Sequence, residues 1–180
     1  MKFTCLPAAS LLATILCFGG VVGAKTSSTD EATTSQIREL YKSLIEAENN
    51  HDIERVRAMV WDSPDALFVA KTKTAAEGNW AGFWGKEVVV EHLQDLYVGT
   101  FRIDPDYSKE RIAVLAPTVA ESYVPVNISV GYAGQSGTPK PFLMIIEWVR
   151  LPSGAWKMAT DIALPIPPPP NEQSAAGPHP

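Results

Sequence analysis

The sequence predicts an α+β fold, three helices packed on one face of a strongly curved antiparallel sheet, and three observations carry that expectation. Hydrophobic spacing is helical up to Gly99, apart from one short apolar run, and changes to a period of two beyond it. Helical and extended segments are therefore segregated rather than alternating. Near the C-terminus, Phe142 to Leu151, the turn Pro152-Ser153-Gly154 and Ala155 to Leu164 read as a β-hairpin whose arms are apolar at both parities. Each arm nevertheless holds one mid-strand carboxylate, Glu147 and Asp161, where a charge is costly unless paired, hydrated or used. That combination points to a sheet wrapped around a pocket.

The first segment is a targeting sequence. Lys2 precedes an apolar run from Cys5 to Val22, and the small residues Val22-Gly23-Ala24 follow, so residues 1–24 are expected to be a signal peptide cleaved before Lys25. The run is broken by Pro7, Gly19 and Gly20 and falls short of the roughly 20 residues that span a bilayer, so no stable membrane anchor is expected. The mature protein is then periplasmic or secreted. Its only cysteines, Cys5 and Cys17, lie in the removed segment, which excludes a disulfide, a thiol nucleophile and a thiolate metal site. Loss of Lys2 takes the formal charge from −5 to −6, with both signs interspersed. Without a basic stripe, nucleic acid is excluded as a partner.

Residues 25–34 are small and polar and are expected to form a flexible leader to a single domain over residues 35–165. Ile37, Leu40, Tyr41, Leu44 and Ile45 fall at helical spacing, with Thr33 and Gln36 as a capping box. Asn49-Asn50-His51 breaks this helix, Asp52 can cap the next, and Ile53, Val56, Met59 and Val60 make it amphipathic until Pro64. Ala66 to Ala70 is a short strand, and a polar, glycine-bearing loop leads to Gly85. The third helix runs from Lys86 to Val98 with Val88, Val89, Leu93, Leu96 and Tyr97 on its buried side. Arg111 to Ala116, Val119 to Tyr132, Pro141 to Leu151 and Ala155 to Leu164 read as four strands, and the proline-rich tail over residues 166–180 as disordered.

Candidate chemistry lies on these elements. By simple alternation Asp161 shares a face with Lys157, Ala159 and Ala163, and Glu147 shares one with Leu143, Ile145 and Val149. If both face one cavity, one acid can hold a proton while the other stays ionised; on the outer face either would pair with Lys157 or Arg150. His92 sits on the apolar side of the third helix, as a hydrogen-bonded core residue or a base. His51 serves a helix junction, His179 lies in the tail, and three scattered histidines make no zinc site. Trp80, Phe83 and Trp84 place aromatics where they either line a cavity mouth or cap a core. Asn127 opens an Asn-Ile-Ser acceptor pattern inside a predicted strand. No phosphate loop, dinucleotide fingerprint or Ser-His-Asp order is visible, and no cofactor is expected.

The chain resembles the nuclear-transport-factor-2-like superfamily, which includes ketosteroid isomerases and SnoaL-like cyclases. The carriers are His51-Asp52-Ile53-Glu54, Asp65 to Val69, Phe83 to Glu87 and Gly154 to Met158, in that order over residues 35–165. The resemblance implies a cone-shaped half barrel around an apolar cavity, commonly dimeric through the outer sheet face. It also implies where the isomerase residues would stand. The general base would fall at Ala70 and the oxyanion tyrosine at Leu44, so steroid isomerisation by that machinery is disfavoured.

Three functional readings follow. The first is an exported, cofactor-free domain, dimeric, binding a small apolar or aromatic molecule in its cone with Trp80, Trp84, Tyr41, Tyr123 and Asn127 as contacts. The second is an isomerase, dehydratase or cyclase using Asp161 or Glu147 as base with His92 or Tyr123 as hydrogen-bond donor. The third is a structural dimerisation module whose cone is filled by its own side chains.

Overall fold

The computed structural model describes residues 28–73 and 80–167. The signal peptide and most of the proline-rich tail read from the sequence lie outside them. Helix α1 spans Ser28–Asn49, α2 Ile53–Met59 and α3 Lys86–Tyr97. The leader expected over residues 25–34 is thus helical from Ser28. No glycine or proline interrupts the segment, and Asp30 and Glu31 in the first turn complement the positive end of the helix dipole. Thr33 is consequently a buried interior residue of α1 rather than its cap.

One stripe of α1 faces the sheet, and it includes Ile37, Tyr41, Leu44 and Glu48. The helix stops at His51, whose left-handed φ of 55° lets its N–H reach back to the Glu48 carbonyl at 3.0 Å. Asn49 then fixes the end of the helix to the sheet, donating to and accepting from the Ile103 backbone at 2.8 and 2.7 Å. Asp52 caps α2 by accepting from the Arg55 N–H.

The strands are β1 Leu67–Lys71, β2 Trp80–Trp84, β3 Phe101–Pro105, β4 Arg111–Ala116, β5 Val119–Val130, β6 Lys140–Arg150 and β7 Trp156–Pro165. Their order is β2-β1-β7-β6-β5-β3, with β4 also on β5. Strands β3 and β4 lie end to end along β5, joined by a short 3-10 helix over Tyr107–Lys109. All pairings are antiparallel except β1 with β7, so the sheet is mixed rather than wholly antiparallel. Two strands were not foreseen: β2 lies in the expected loop, and β3 precedes the expected first long strand.

The helices cover the concave face of this sheet, where Phe142, Met144, Ile146 and Trp148 of β6 are buried. Trp148 satisfies its indole N–H on the Ser122 hydroxyl at 3.0 Å. On β7 the alternation breaks: Glu147 pairs with Thr160, yet Trp148 pairs with Met158, leaving Ala159 as an extra residue. This bulge puts Trp156 and Met158 inward on one side of it and Asp161 and Ala163 inward on the other. The expected shared face of Asp161 with Lys157 is therefore corrected. Lys157 points away from the concave side and donates to the Ala58 carbonyl at 2.5 Å.

Deleting Ala159 restores strict alternation and must turn either Trp156 and Met158 or Asp161 and Ala163 to the wrong face. Urea unfolding should then show stability lower by about 3 kcal/mol or more, the scale of losing a large buried side chain. An unchanged midpoint would mean that the bulge does not set the faces of β7.

Candidate functional site

Between α1, α3 and the concave sheet face lies a hollow of about 500 Å³, the open solvent at its mouth included. Its walls are apolar, with Phe68 from β1, Leu93 and Leu96 from α3, Ile103 from β3 and Met144 from β6. Half-buried Trp80, Phe101 and Gln135 stand at the mouth, and Trp80 packs 6.2 Å from Phe142 between ring centroids.

Two acids break this apolar surface. Asp161 from β7 and Glu48 from the last turn of α1 both line the hollow, and each is only 1% exposed. Among the described residues, neither oxygen of Asp161, nor Oε2 of Glu48, has a hydrogen-bond partner. Among the described residues no salt bridge reaches either acid. Burial in such surroundings disfavours the charged form and pushes the Asp161 carboxyl up to about 7. Burial, reinforced by the charge of Asp161, holds Glu48 well above the usual carboxylate range. The two titrate as a pair rather than as independent sites.

Two phenols flank the pair. Tyr41 donates its hydroxyl proton to the Met144 sulfur at 3.2 Å, and the buried Tyr97 hydroxyl has no partner among the described residues. Burial first, then the negative charges of Asp161 and Glu48, raise both phenols and keep them protonated. Tyr97 is held in place by its ring, stacked on His51 with centroids 4.9 Å apart. The site is thus a small set of proton-bearing groups in a low-dielectric hollow, able to hold or move one proton between two acids.

The other residues singled out in the sequence are placed elsewhere. Glu147 is exposed on the convex face, in register with Glu121, and does not share a cavity with Asp161. Tyr123 and Asn127 also point to that face, and Trp84 is 58% exposed. His92 is buried but does not line the hollow; its ring stacks on Phe83 at 3.6 Å and meets Tyr132 edge-on at 5.5 Å. Burial lowers its pKa, opposed by a hydrogen bond with the Lys71 backbone, so it is a neutral core imidazole near pH 7. Asp161 and Trp80 line the hollow and Tyr41 adjoins it. Glu48, Tyr97 and Gln135 were missed. Glu48 was findable, because it lies four residues after Leu44 and seven after Tyr41, on the buried stripe of α1.

No family model matches this sequence, and no curated protein matches it. Similarity appears in solved structures. A cystatin-like protein from Caulobacter vibrioides superposes with a TM-score of 0.63 at 14% identity, over 79% of this chain and 94% of the other. A nuclear-transport-factor-2-like protein of unknown function from Pseudomonas putida KT2440 gives 0.60 at 16% identity, over 79% and 92%. A nuclear-transport-factor-2-like superfamily protein from Salmonella enterica gives 0.61 at 13% identity, over 79% and 97%. The chain has the nuclear-transport-factor-2-like, cystatin-like α+β fold.

The raised acid has a signed consequence for stability. An acid whose folded pKa exceeds its unfolded value contributes stability below the unfolded pKa and loses it as pH rises through the folded one. For Asp161 that window runs from the ordinary 3.8 to about 7. Asp161→Asn should therefore stabilise the protein, by on the order of 2 kcal/mol more at pH 8 than at pH 5, at about 1.4 kcal/mol per unit. Thermal melts of both proteins at the two pH values check this. A gain independent of pH would mean that Asp161 titrates as an exposed acid.

Proposed function

We propose that the protein is a binding domain for a small, largely apolar or aromatic molecule that enters the cone past Trp80 and Phe101 and places a polar group against Glu48 and Asp161. The observation that carries this reading is the pair of buried acids, without a hydrogen-bond partner for Asp161 or for Glu48 Oε2 among the described residues, in a hollow lined mostly by apolar side chains. A cone filled by its own side chains would gain nothing from two such groups, since an apolar residue of similar size costs less to bury. Ligand cavities, by contrast, are mostly apolar with a few polar groups that fix orientation.

A second reading is favoured by one specific observation. An acid poised near neutrality beside a second, more strongly protonated one has the protonation states that general acid–base chemistry needs. In an isomerase- or dehydratase-type reaction Asp161 would take the proton, and Glu48 or Tyr97 would donate a hydrogen bond to the developing oxyanion. His92 and Glu147 have no place in such a scheme, being outside the hollow.

Export rests on the sequence pattern of residues 1–24, and the dimer on the convex face. There Tyr123, Ile145 and Ile162 form a half-buried cross-strand row over β5, β6 and β7. Exposed apolar rows of this kind are commonly covered by a partner. Light scattering of residues 25–180 at micromolar concentration should give twice the chain mass, and Ile145→Lys should halve it. A monomeric parent protein would remove the dimer from this reading.

Calorimetric titration with benzyl alcohol and 2-naphthol, small neutral probes, tests the cavity itself. Ala70→Phe plugs the hollow from β1, where Ala70 is buried against it. The parent protein should bind at least one probe, and the variant should bind it at least tenfold more weakly while keeping its fold, at an overpacking cost of about 1–3 kcal/mol. Equal binding by both would place the ligand elsewhere.

A further inference from the structure

The unpaired groups of the hollow differ in kind, and their balance specifies a ligand class. Four buried oxygens at this site lack a partner among the described residues: Glu48 Oε2, Asp161 Oδ1 and Oδ2, and Gln135 Oε1. All four accept hydrogen bonds when the acids are ionised. Donors are scarce. From α1 the Tyr41 hydroxyl is committed to the Met144 sulfur; from α3 Tyr97 offers one proton; β3 and β6 present apolar side chains and the Met144 thioether. Among the described residues Lys71, at the end of β1, is the one cation lining the hollow, and no salt bridge joins it to either acid. Acidic groups therefore face the hollow from α1 and β7 with no salt bridge to either among the described residues.

Resting on the reading of the cone as a binding cavity, we propose that it takes small apolar amines, with the protonated nitrogen seated between Glu48 and Asp161 and the apolar body against the aromatic mouth. A neutral hydrocarbon would leave all four acceptors unpaired, and an anion would add charge to a site that already repels it. An ammonium brings several donors and the missing positive charge. Trp80, Phe101, Phe142 and Phe68 line the same hollow and offer aromatic surface to the apolar body. Aromatic faces attract organic cations, which adds selectivity for the same class. Because the empty pair holds a proton that the ammonium replaces, each amine bound sends up to one proton to the buffer. Affinity accordingly strengthens as pH rises from 6 to 8.

Benzylamine, benzyl alcohol and benzoate share one body and differ in the head group. Calorimetric titration at pH 7.5 should show benzylamine binding at least tenfold tighter than benzyl alcohol, and benzoate not binding detectably. Its apparent heat should change with the ionisation enthalpy of the buffer, reporting proton release. Glu48→Gln and Asp161→Asn should each weaken benzylamine at least tenfold and weaken benzyl alcohol less, so that the preference for the amine falls. Equal affinity for amine and alcohol, or amine binding that neither substitution alters, would overturn the amine class and leave the cavity reading standing. Failure of all three compounds, and of 2-naphthol, to bind the parent protein would overturn the cavity reading itself. If either variant does not fold, the buffer dependence decides alone: amine binding without proton release overturns the proposal.

Discussion

Two carboxylic acids are held out of water in this protein with no salt bridge to either among the described residues, and much of the architecture is what makes that arrangement persist. Burying an unpaired acid is costly in either protonation state, less so when neutral, so the surrounding core must over-determine both positions. It does so through separate devices. Glu48 rides on the last turn of α1, which Asn49 binds to the β3 backbone with two hydrogen bonds. Asp161 is flanked in register by Ile146 on β6 and Phe68 on β1, both buried. Neither side chain can leave the hollow without moving an element that other packing fixes.

The convex face has the opposite character. Glu121 and Glu147 lie directly opposite each other there, but in the reach of solvent, where like charges repel weakly. Residue type alone therefore does not mark the site. A mid-strand glutamate next to a buried tryptophan is a surface residue, and an aspartate on the neighbouring strand is pushed up to about 7, because the sheet gives one of them water and the other none.

This difference also explains how far the sequence could be read. The three helices, the four long strands and their segregation were legible from period alone, since each is an extended run of consistent spacing. Strand β2, Trp-Ala-Gly-Phe-Trp, carries no alternation, and β3 is only Phe101–Pro105, closed by a proline; both exist because neighbouring strands pair with them. The bulge at Ala159 leaves no mark in the sequence, as one extra alanine in an apolar strand looks like any other. Asp161 was therefore identified as a candidate, but its face followed only from the register. Glu48 was overlooked for a different reason: a charged residue at a stripe position reads as the end of the stripe, whereas here it is the stripe's functional member. The aromatics divided by location, with Trp80 at the mouth and Trp84 in solvent although only four residues apart.

The central claim is that Glu48 and Asp161 are a desolvated, coupled acid pair inside the cone. Carboxyl carbon chemical shifts of the two residues, followed from pH 3 to 9 in the folded protein, test it most directly. Two-step curves shared by both residues are predicted, with Asp161 ionising near neutrality and Glu48 above the ordinary carboxylate range. Independent single transitions at ordinary values, near 3.8 for Asp161 and 4.5 for Glu48, would contradict it and return both acids to solvent.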